Sequence, residues 1–203
     1  MSDTGTFAEL LASPGVVEDC ELRGRFGFMA YHGGSLEEMT DVIASAAAER
    51  SGASFYAVRQ PADLTWHIPS HKVSPAESPA LAAYLDHVDL VVTIHGFGRR
   101  GLFTSLLLGG RNRELAEHVG GHLRARLPAY GILTDLDAIP RELRGLHESN
   151  PVNLPRRAGV QIELPPRVRG SSMLWADWEG PGLTPHTEAL VDGLATAATA
   201  WTT

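Results

Sequence analysis

The stretch that most constrains this chain is Asp89-Leu-Val-Val-Thr-Ile-His95. It is apolar almost without interruption, and a strand of that kind has both faces covered. It therefore belongs in the middle of a sheet with helices on either side. Arg25 to Tyr31, Ser54 to Val58, Leu102 to Leu108 and Val160 to Leu164 read as further strands, and Asp19 to Leu22 as one more ahead of the Arg23-Gly24 turn. Helical spacing appears between them. Leu36, Met39, Ile43 and Ala46 predict a helix over 36–50 that Ser51-Gly52 ends. Leu115, Val119, Leu123 and Leu127 predict another over 112–127. Thr184-Pro185 starts a third, with proline at its first position, and Leu190, Leu194, Ala197 and Trp201 form its stripe. Pro79 to His87 looks helical, and Phe7, Leu10 and Leu11 suggest a short opening helix. Residues 137–159, broken by Pro140, Pro151 and Pro155, read as a long irregular loop of the kind that often carries function. The alternation predicts an α/β fold: a single three-layer α/β/α domain over residues 1–203 with a mixed, mostly parallel sheet.

Composition excludes several classes. A net charge of −7 with 43% hydrophobic residues indicates a soluble globular protein and argues against a nucleic-acid partner. Cys20 is the only cysteine, so no internal disulfide and no Cys-rich metal site is available. No apolar run is long enough to span a bilayer, and Met1 to Thr6 carries no basic or long apolar segment. No membrane partner is expected, and the cytoplasm is the expected location. Lys72 is the only lysine among 17 basic residues. The arginine excess reads first as codon bias, although arginine forks also suit carboxylates.

Phe28-Met-Ala-Tyr-His32-Gly-Gly-Ser-Leu-Glu37 carries the chemistry. An apolar run ends on a histidine, two glycines turn the chain, and a carboxylate follows where a helix begins. Zinc accepts both ligand types and needs at least one more. The plainer alternative is a backbone-satisfied histidine with a surface glutamate in a first helical turn. Glu38 is the rival carboxylate. His95 repeats the arrangement: apolar strand, histidine, then Gly96. Glu163 sits in the apolar strand Gly159-Val-Gln-Ile-Glu-Leu164, facing away from Val160, Ile162 and Leu164. It either pairs with Arg167 or Arg169 or acts at a site. His32, His95 and Glu163 all fall at or near strand ends, where sites gather in open α/β sheets. His118 and His122 read as a half-exposed helix face, and His67 and His71 flank Pro69 in a loop. His32-Gly-Gly-Ser35 has no Gly-x-Ser-x-Gly partner, so a serine triad is poorly supported.

These segments, in order and spacing, resemble the poly-γ-glutamate hydrolase family, known from phages of capsule-forming bacilli. The matching pieces are His32-Gly-Gly-x-x-Glu37, Ser54-Phe-Tyr56, Leu64 to Ser70, Ile94-His-Gly96, Leu108-Gly-Gly-Arg-Asn112, Asn150-Pro-Val-Asn153 and Gly159 to Leu164. The chain departs from the family pattern at Tyr31 (proline expected), at Pro69 (threonine expected) and at Leu154-Pro155 (Asn-Arg expected). The resemblance implies a core similar to zinc carboxypeptidases, one zinc ion per chain on His32, Glu37 and His95, and Glu163 as general base. Substrate contacts are expected from His67, Asn153 and the arginines Arg99, Arg100, Arg156, Arg157 and Arg169. Arg156 or Arg157, then Arg99 or Arg100, is favoured as the cation for the oxyanion. The implied activity is a zinc-dependent amidohydrolase of γ-glutamyl amide bonds acting on an acidic polymer or a small γ-glutamyl amide. Release by lysis would bring a phage-derived enzyme to its polymer. A zinc amidase for another acidic amide and a non-catalytic polymer binder are the alternatives.

Overall fold

The computed structural model describes residues 5–202. Residues 1–4 of the Met1 to Thr6 stretch, where no targeting segment is expected, lie outside them. In chain order the elements are α1 (Phe7–Leu11), β1 (Val17–Glu21), β2 (Phe26–Gly34), α2 (Thr40–Ser51), β3 (Ser54–Gln60), α3 (Pro79–His87), β4 (Leu90–Gly96), β5 (Ser105–Leu108), α4 (Arg113–Arg126), β6 (Gly131–Leu133), β7 (Gly159–Leu164), α5 (Pro166–Arg169) and α6 (Pro185–Ala200). All seven strands join one sheet in the order β1-β3-β2-β4-β7-β5-β6. β2, β3, β4 and β7 run parallel, β1 lies antiparallel on β3, and β5 lies antiparallel on β7 with β6 parallel beside it. The fold is the mixed α/β sheet expected. Among the described residues no helix is long and apolar enough to cross a membrane.

The apolar run is β4, at the centre between β2 and β7, and its six residues from Leu90 to His95 are buried. Its pleat divides the core. Leu90, Val92 and Ile94 face a cluster built with α2, α4 and α6. Val91 faces the second cluster, which holds Phe7 and Leu10 of α1 and Leu81, Tyr84 and Leu85 of α3. Side chains cap the helix starts: Asn112 Oδ1 accepts from Leu115 N–H at 2.9 Å, and Ser78 Oγ from Leu81 N–H at 2.9 Å, with Pro79 next. Each large apolar side chain fully buried contributes roughly 1.5–3 kcal/mol.

Five elements differ from what the sequence pattern alone conveys. The helix over 36–50 begins at Thr40, because residues 35–39 are spent on a turn. Ser35 N–H bonds Gln60 O, Glu37 N–H bonds His32 O, and Met39 takes a left-handed φ of 72° before the helix starts. β5 begins at Ser105, since Leu102 is held in turns by bonds to Arg99 and from Ser105. β1 and β2 flank the Arg23-Gly24 turn without pairing, because β3 lies between them. β6 is too short to show a period.

β2 contains a bulge next to the site. Ala30 pairs with Ala57 but Gly33 with Arg59, so three steps along β2 match two along β3. The extra residue falls at Tyr31-His32 and re-aims both side chains relative to the pleat below. Gly34 closes the strand at φ +69°, where a Cβ would meet Gln60 O at 2.2 Å. Gly52 has the same φ of +69° with nothing within 4 Å of a Cβ. The left-handed backbone alone costs a non-glycine residue about 1–3 kcal/mol. Gly34→Ala is thus expected to lower the thermal midpoint clearly more than Gly52→Ala, which isolates the close approach to Gln60. Equal midpoints for the two variants would contradict it.

Candidate metal centre

Three parallel strands deliver the polar side chains to one place. His95 and Glu163 are register partners on β4 and β7. Both stand on the pleat face opposite Ile94 and Ile162. His32 arrives through the β2 bulge. Glu37 comes from the turn that delays α2, tied by its own N–H to His32 O at 3.0 Å. One ligand atom from each of His32, Glu37 and His95 lies within 4.8 Å of the others. Glu38, the rival carboxylate, is exposed and stands outside this group.

The hydrogen bonds fix how the imidazoles face. His32 Nδ1 lies 3.0 Å from Glu37 Oε1 and His95 Nδ1 3.2 Å from Glu37 Oε2. Gly96 N–H also donates to Oε2 at 2.8 Å. The outer nitrogens are both committed. His32 Nε2 contacts Ile68 O at 2.8 Å, and a carbonyl only accepts, so that nitrogen carries a proton. His95 Nε2 lies 3.0 Å from Tyr31 Oη, whose own proton goes to Asn150 Oδ1 at 3.2 Å. Tyr31 therefore accepts, and His95 Nε2 donates. Each Nδ1 is left as a lone pair aimed at a carboxylate. Two acceptors face to face need a cation between them: a proton on the imidazole in the metal-free protein, or a metal ion. Two imidazole nitrogens and a carboxylate oxygen, with outer nitrogens held by protein acceptors, form a donor set suited to zinc.

Beyond Tyr31 the polar contacts continue. Asn150 Nδ2 donates to Gln161 Oε1 at 2.8 Å, and Gln161 Nε2 donates to Glu163 Oε1 at 2.8 Å. Glu163 Oε2 has no hydrogen bond among the described residues and is not sealed from solvent. Arg169 is buried behind Gly96, where a Cβ would come within 2.9 Å of its Cζ, and it donates to Leu164 O and Glu38 O.

Burial pushes the Glu37 carboxyl up, but the two imidazoles outweigh it and hold it well below the usual carboxylate range. Burial opposes the charged form of His95, and the Glu37 carboxylate overcomes that, raising His95 above its ordinary value. Glu163 is shifted upward, chiefly by burial and then by Glu37, against the pull of His95 and the Gln161 hydrogen bond. Burial also raises the Tyr31 hydroxyl far above its ordinary value, so it keeps its proton and remains a donor to Asn150.

These groups open into a cavity of about 430 Å³ walled by the loops after β3 and before β7. Of the expected substrate residues, His67 lines it, with its ring 4.8 Å from that of His32. Arg99 reaches only the rim, through an ion pair with Glu142, and Arg100 is exposed nearby. The rest lie elsewhere. Arg156 sits on Asp89 at 3.3 Å, in a separate depression with Arg25. Arg157 stacks over Trp201 at 5.4 Å. Arg169 is behind the site. Asn153 binds backbone, with Nδ2 on Gly145 O and His147 O, and Oδ1 accepting from Arg111 N–H. Arg113 donates to the carbonyls of Gly110, Leu108 and Thr134. The cavity wall instead holds Arg141 and His147, not singled out from sequence, and His71, set aside from sequence as a loop residue beside Pro69; the exposed rings of His71 and His147 lie 4.9 Å apart. Nothing local in the sequence brings them together, because the 137–150 loop meets the 69–72 turn only in the folded chain.

The fold and site define an α/β protein with a two-histidine, two-carboxylate cluster at the carboxyl ends of its central strands. Comparison with known proteins places it more closely. The sequence profile of the poly-γ-glutamate hydrolase family matches residues 7–179, and the chain belongs to that family of hydrolases. A solved bacteriophage poly-γ-glutamate hydrolase is similar in structure, with TM-score 0.75 and 18% identity over 93% of this chain and 91% of that one. The zinc-free apo form of YNDL is also similar, with TM-score 0.78 and 17% identity over 97% of each chain. No curated protein sequence matches the chain.

The Glu37 cluster makes a pH prediction for chelator-treated protein. The lowered Glu37 pKa contributes stability that is full above its unfolded value of 4.5 and is lost as pH falls through the folded value. The raised His95 pKa contributes stability that is full below 6.5 and is lost as pH rises through the folded value. Both contributions are complete only between 4.5 and 6.5. The stability difference between wild type and Glu37→Gln, measured by chemical denaturation across pH, should be largest in that window. A difference independent of pH would contradict the ion pairing.

Proposed function

We propose that this chain is a zinc-dependent amidohydrolase that cleaves γ-glutamyl amide bonds, with poly-γ-glutamate as its substrate. In this reading His32, Glu37 and His95 hold one zinc ion, and Glu163 is the general base. The observation that carries it is the pair of imidazole Nδ1 lone pairs converging on the Glu37 carboxylate inside a buried cluster. Membership of the hydrolase family supports it independently.

When bound there, a zinc ion supplies a Lewis acid and lowers the pKa of water to about 7. The chain's own residues do the rest. Glu163 lines the cavity with one oxygen occupied by Gln161 and the other open, so Oε2 is the atom that takes a proton from water and returns it to the leaving amine. Its upward pKa shift brings it nearer the working pH of a base. That arrangement favours catalysis over mere binding of an acidic polymer, which needs no proton acceptor. The ring of His67 stands beside that of His32 and narrows the approach to it.

Poly-γ-glutamate carries a free α-carboxylate on every residue, so its enzyme needs cations at the mouth of the site. Arg141 fills that place in our reading, with the rings of His71 and His147 beside it in the cavity wall, ahead of the arginines that are near in sequence but remote in space. Arg141 is exposed, so its effect falls on binding and weakens with salt. The cavity of about 430 Å³ holds one or a few glutamyl units, so small γ-glutamyl amides are the second substrate class.

The reading is tested by quantifying zinc in purified protein and following poly-γ-glutamate chain length with and without chelator. One zinc per chain and chelator-sensitive shortening are expected. Zinc with intact polymer would move the substrate to small γ-glutamyl amides, and absence of zinc would overturn the metal assignment. Glu163→Gln should keep its zinc and lose turnover by about 10²–10⁴-fold, whereas near wild-type turnover would remove Glu163 as base. Arg141→Ala should retain zinc and kcat while raising KM for the polymer several-fold at low salt. A KM unchanged at low salt would exclude Arg141 from substrate binding.

A further inference from the structure

We infer that Tyr31, Asn150 and Gln161 are positioning residues, forming one directed hydrogen-bond chain that sets which nitrogen of His95 faces the metal and which oxygen of Glu163 takes the proton. The inference rests on the roles proposed above for His95 and Glu163 and extends them to three residues so far without one.

The direction of the chain follows from a single backbone group. Val152 N–H donates to Asn150 Oδ1 at 3.3 Å, which identifies that atom as the oxygen and orients the amide. Tyr31 must then donate its proton to Asn150 Oδ1, and with that proton committed its oxygen accepts from His95 Nε2–H. On the other side Asn150 presents its NH₂ to Gln161, so Gln161 presents its oxygen in return and its own NH₂ to Glu163. Every donor points the same way, from His95 through Tyr31, Asn150 and Gln161 to Glu163.

All five groups are buried: Tyr31 is 0% exposed, Asn150 2%, His95 3%, Gln161 4% and Glu163 5%. With so little exposure, a link that turns round would set an acceptor against an acceptor or a donor against a donor, at a cost that low local dielectric raises. At one end this holds His95 as the Nε2–H tautomer, with the Nδ1 lone pair toward Glu37. At the other end Glu163 Oε1 must remain an acceptor, because a proton there would oppose Gln161 N–H. Proton uptake is confined to Oε2, the oxygen open to the cavity. The surrounding backbone is shaped around this chain. Gly145, at φ +64°, approaches so closely that a Cβ would lie 2.6 Å from Gln161 Oε1. Asn153 pins that segment through Gly145 O at 2.7 Å and His147 O at 2.9 Å.

Near-isosteric substitutions test the direction rather than the packing. Asn150→Asp keeps the oxygen that accepts from Val152 and Tyr31 and replaces only the NH₂ that meets Gln161. Gln161 then has an acceptor on both sides and no arrangement that serves both. Gln161→Glu introduces the same conflict one link later and leaves Asn150 intact. Both variants are expected to retain one zinc per chain and a KM within about twofold of wild type, while kcat on poly-γ-glutamate falls on the order of 10–100-fold. Tyr31→Phe removes the acceptor for His95 and is expected to weaken zinc binding about 10–100-fold. That is read without substrate, by competition with a chromophoric chelator. Should Asn150→Asp fail to fold, Gln161→Glu decides the Glu163 arm.

Wild-type kcat in the folded variants would overturn the Glu163 arm, and unchanged zinc affinity in Tyr31→Phe would overturn the His95 arm. Failure of the underlying reading looks different: wild-type protein without zinc, or Glu163→Gln with full turnover, measured alongside.

Discussion

The Glu37 carboxylate, enclosed between two imidazoles at the end of a buried sheet, is the interaction on which the site depends. A carboxylate in that position cannot stand alone, since removing the partner of a buried charge costs about 3–5 kcal/mol. The local irregularities of the chain serve its placement. The β2 bulge brings His32 to Oε1, Gly96 offers its N–H to Oε2, and the turn at 35–39 postpones α2 so that Glu37 reaches inward while Glu38 points out. Arg169, behind Gly96, adds the compensating positive charge from below.

The 137–159 loop has little regular structure because its polar groups are satisfied by the site and not by a ladder. Short 3-10 turns at Leu136–Ala138, Arg141–Leu143 and Pro151–Asn153 punctuate it. Asn150 and Asn153 anchor it through their amides, and Arg111 binds Leu146 O at 3.1 Å. The same segment walls the cavity, so the cover of the site and the hydrogen bonds beneath it are one piece of chain.

The middle of the fold was legible in the sequence because its signals are local. The Asp89–His95 run announces a strand covered on both faces, and α3 and α6 begin at capping residues followed by proline. The convergence of His32, Glu37 and His95 was foreshadowed by two histidines that each end an apolar strand before glycine. The bulge was not legible, because an extra residue appears only against its partner strand. Helical spacing at Leu36 and Met39 misled for a related reason: both sit in a turn whose backbone is committed to Gln60 and His32. The cations were the weakest reading. Arg156 and Arg157 stand near Asn153 in sequence, yet one turns to Asp89 and the other to Trp201 at the far end of the chain. Tyr31 stood out only as a departure from the family pattern. Its place between His95 and Asn150 depends on a contact spanning 119 residues.

Asn150 is followed by Pro151, and that neighbour affects the durability of the site as well as its shape. Asparagine side chains in ageing proteins convert to aspartate when the next residue's backbone nitrogen attacks the amide carbon and closes a succinimide ring. Proline has no N–H on its backbone nitrogen, so this ring closure is blocked at Asn150. The same proline starts the short 3-10 turn whose Val152 N–H orients the amide. A buried amide whose conversion to a carboxylate would break the hydrogen-bond chain between His95 and Glu163 is thus shielded from the commonest spontaneous reaction of its type, and old molecules keep the chemistry of new ones at this position.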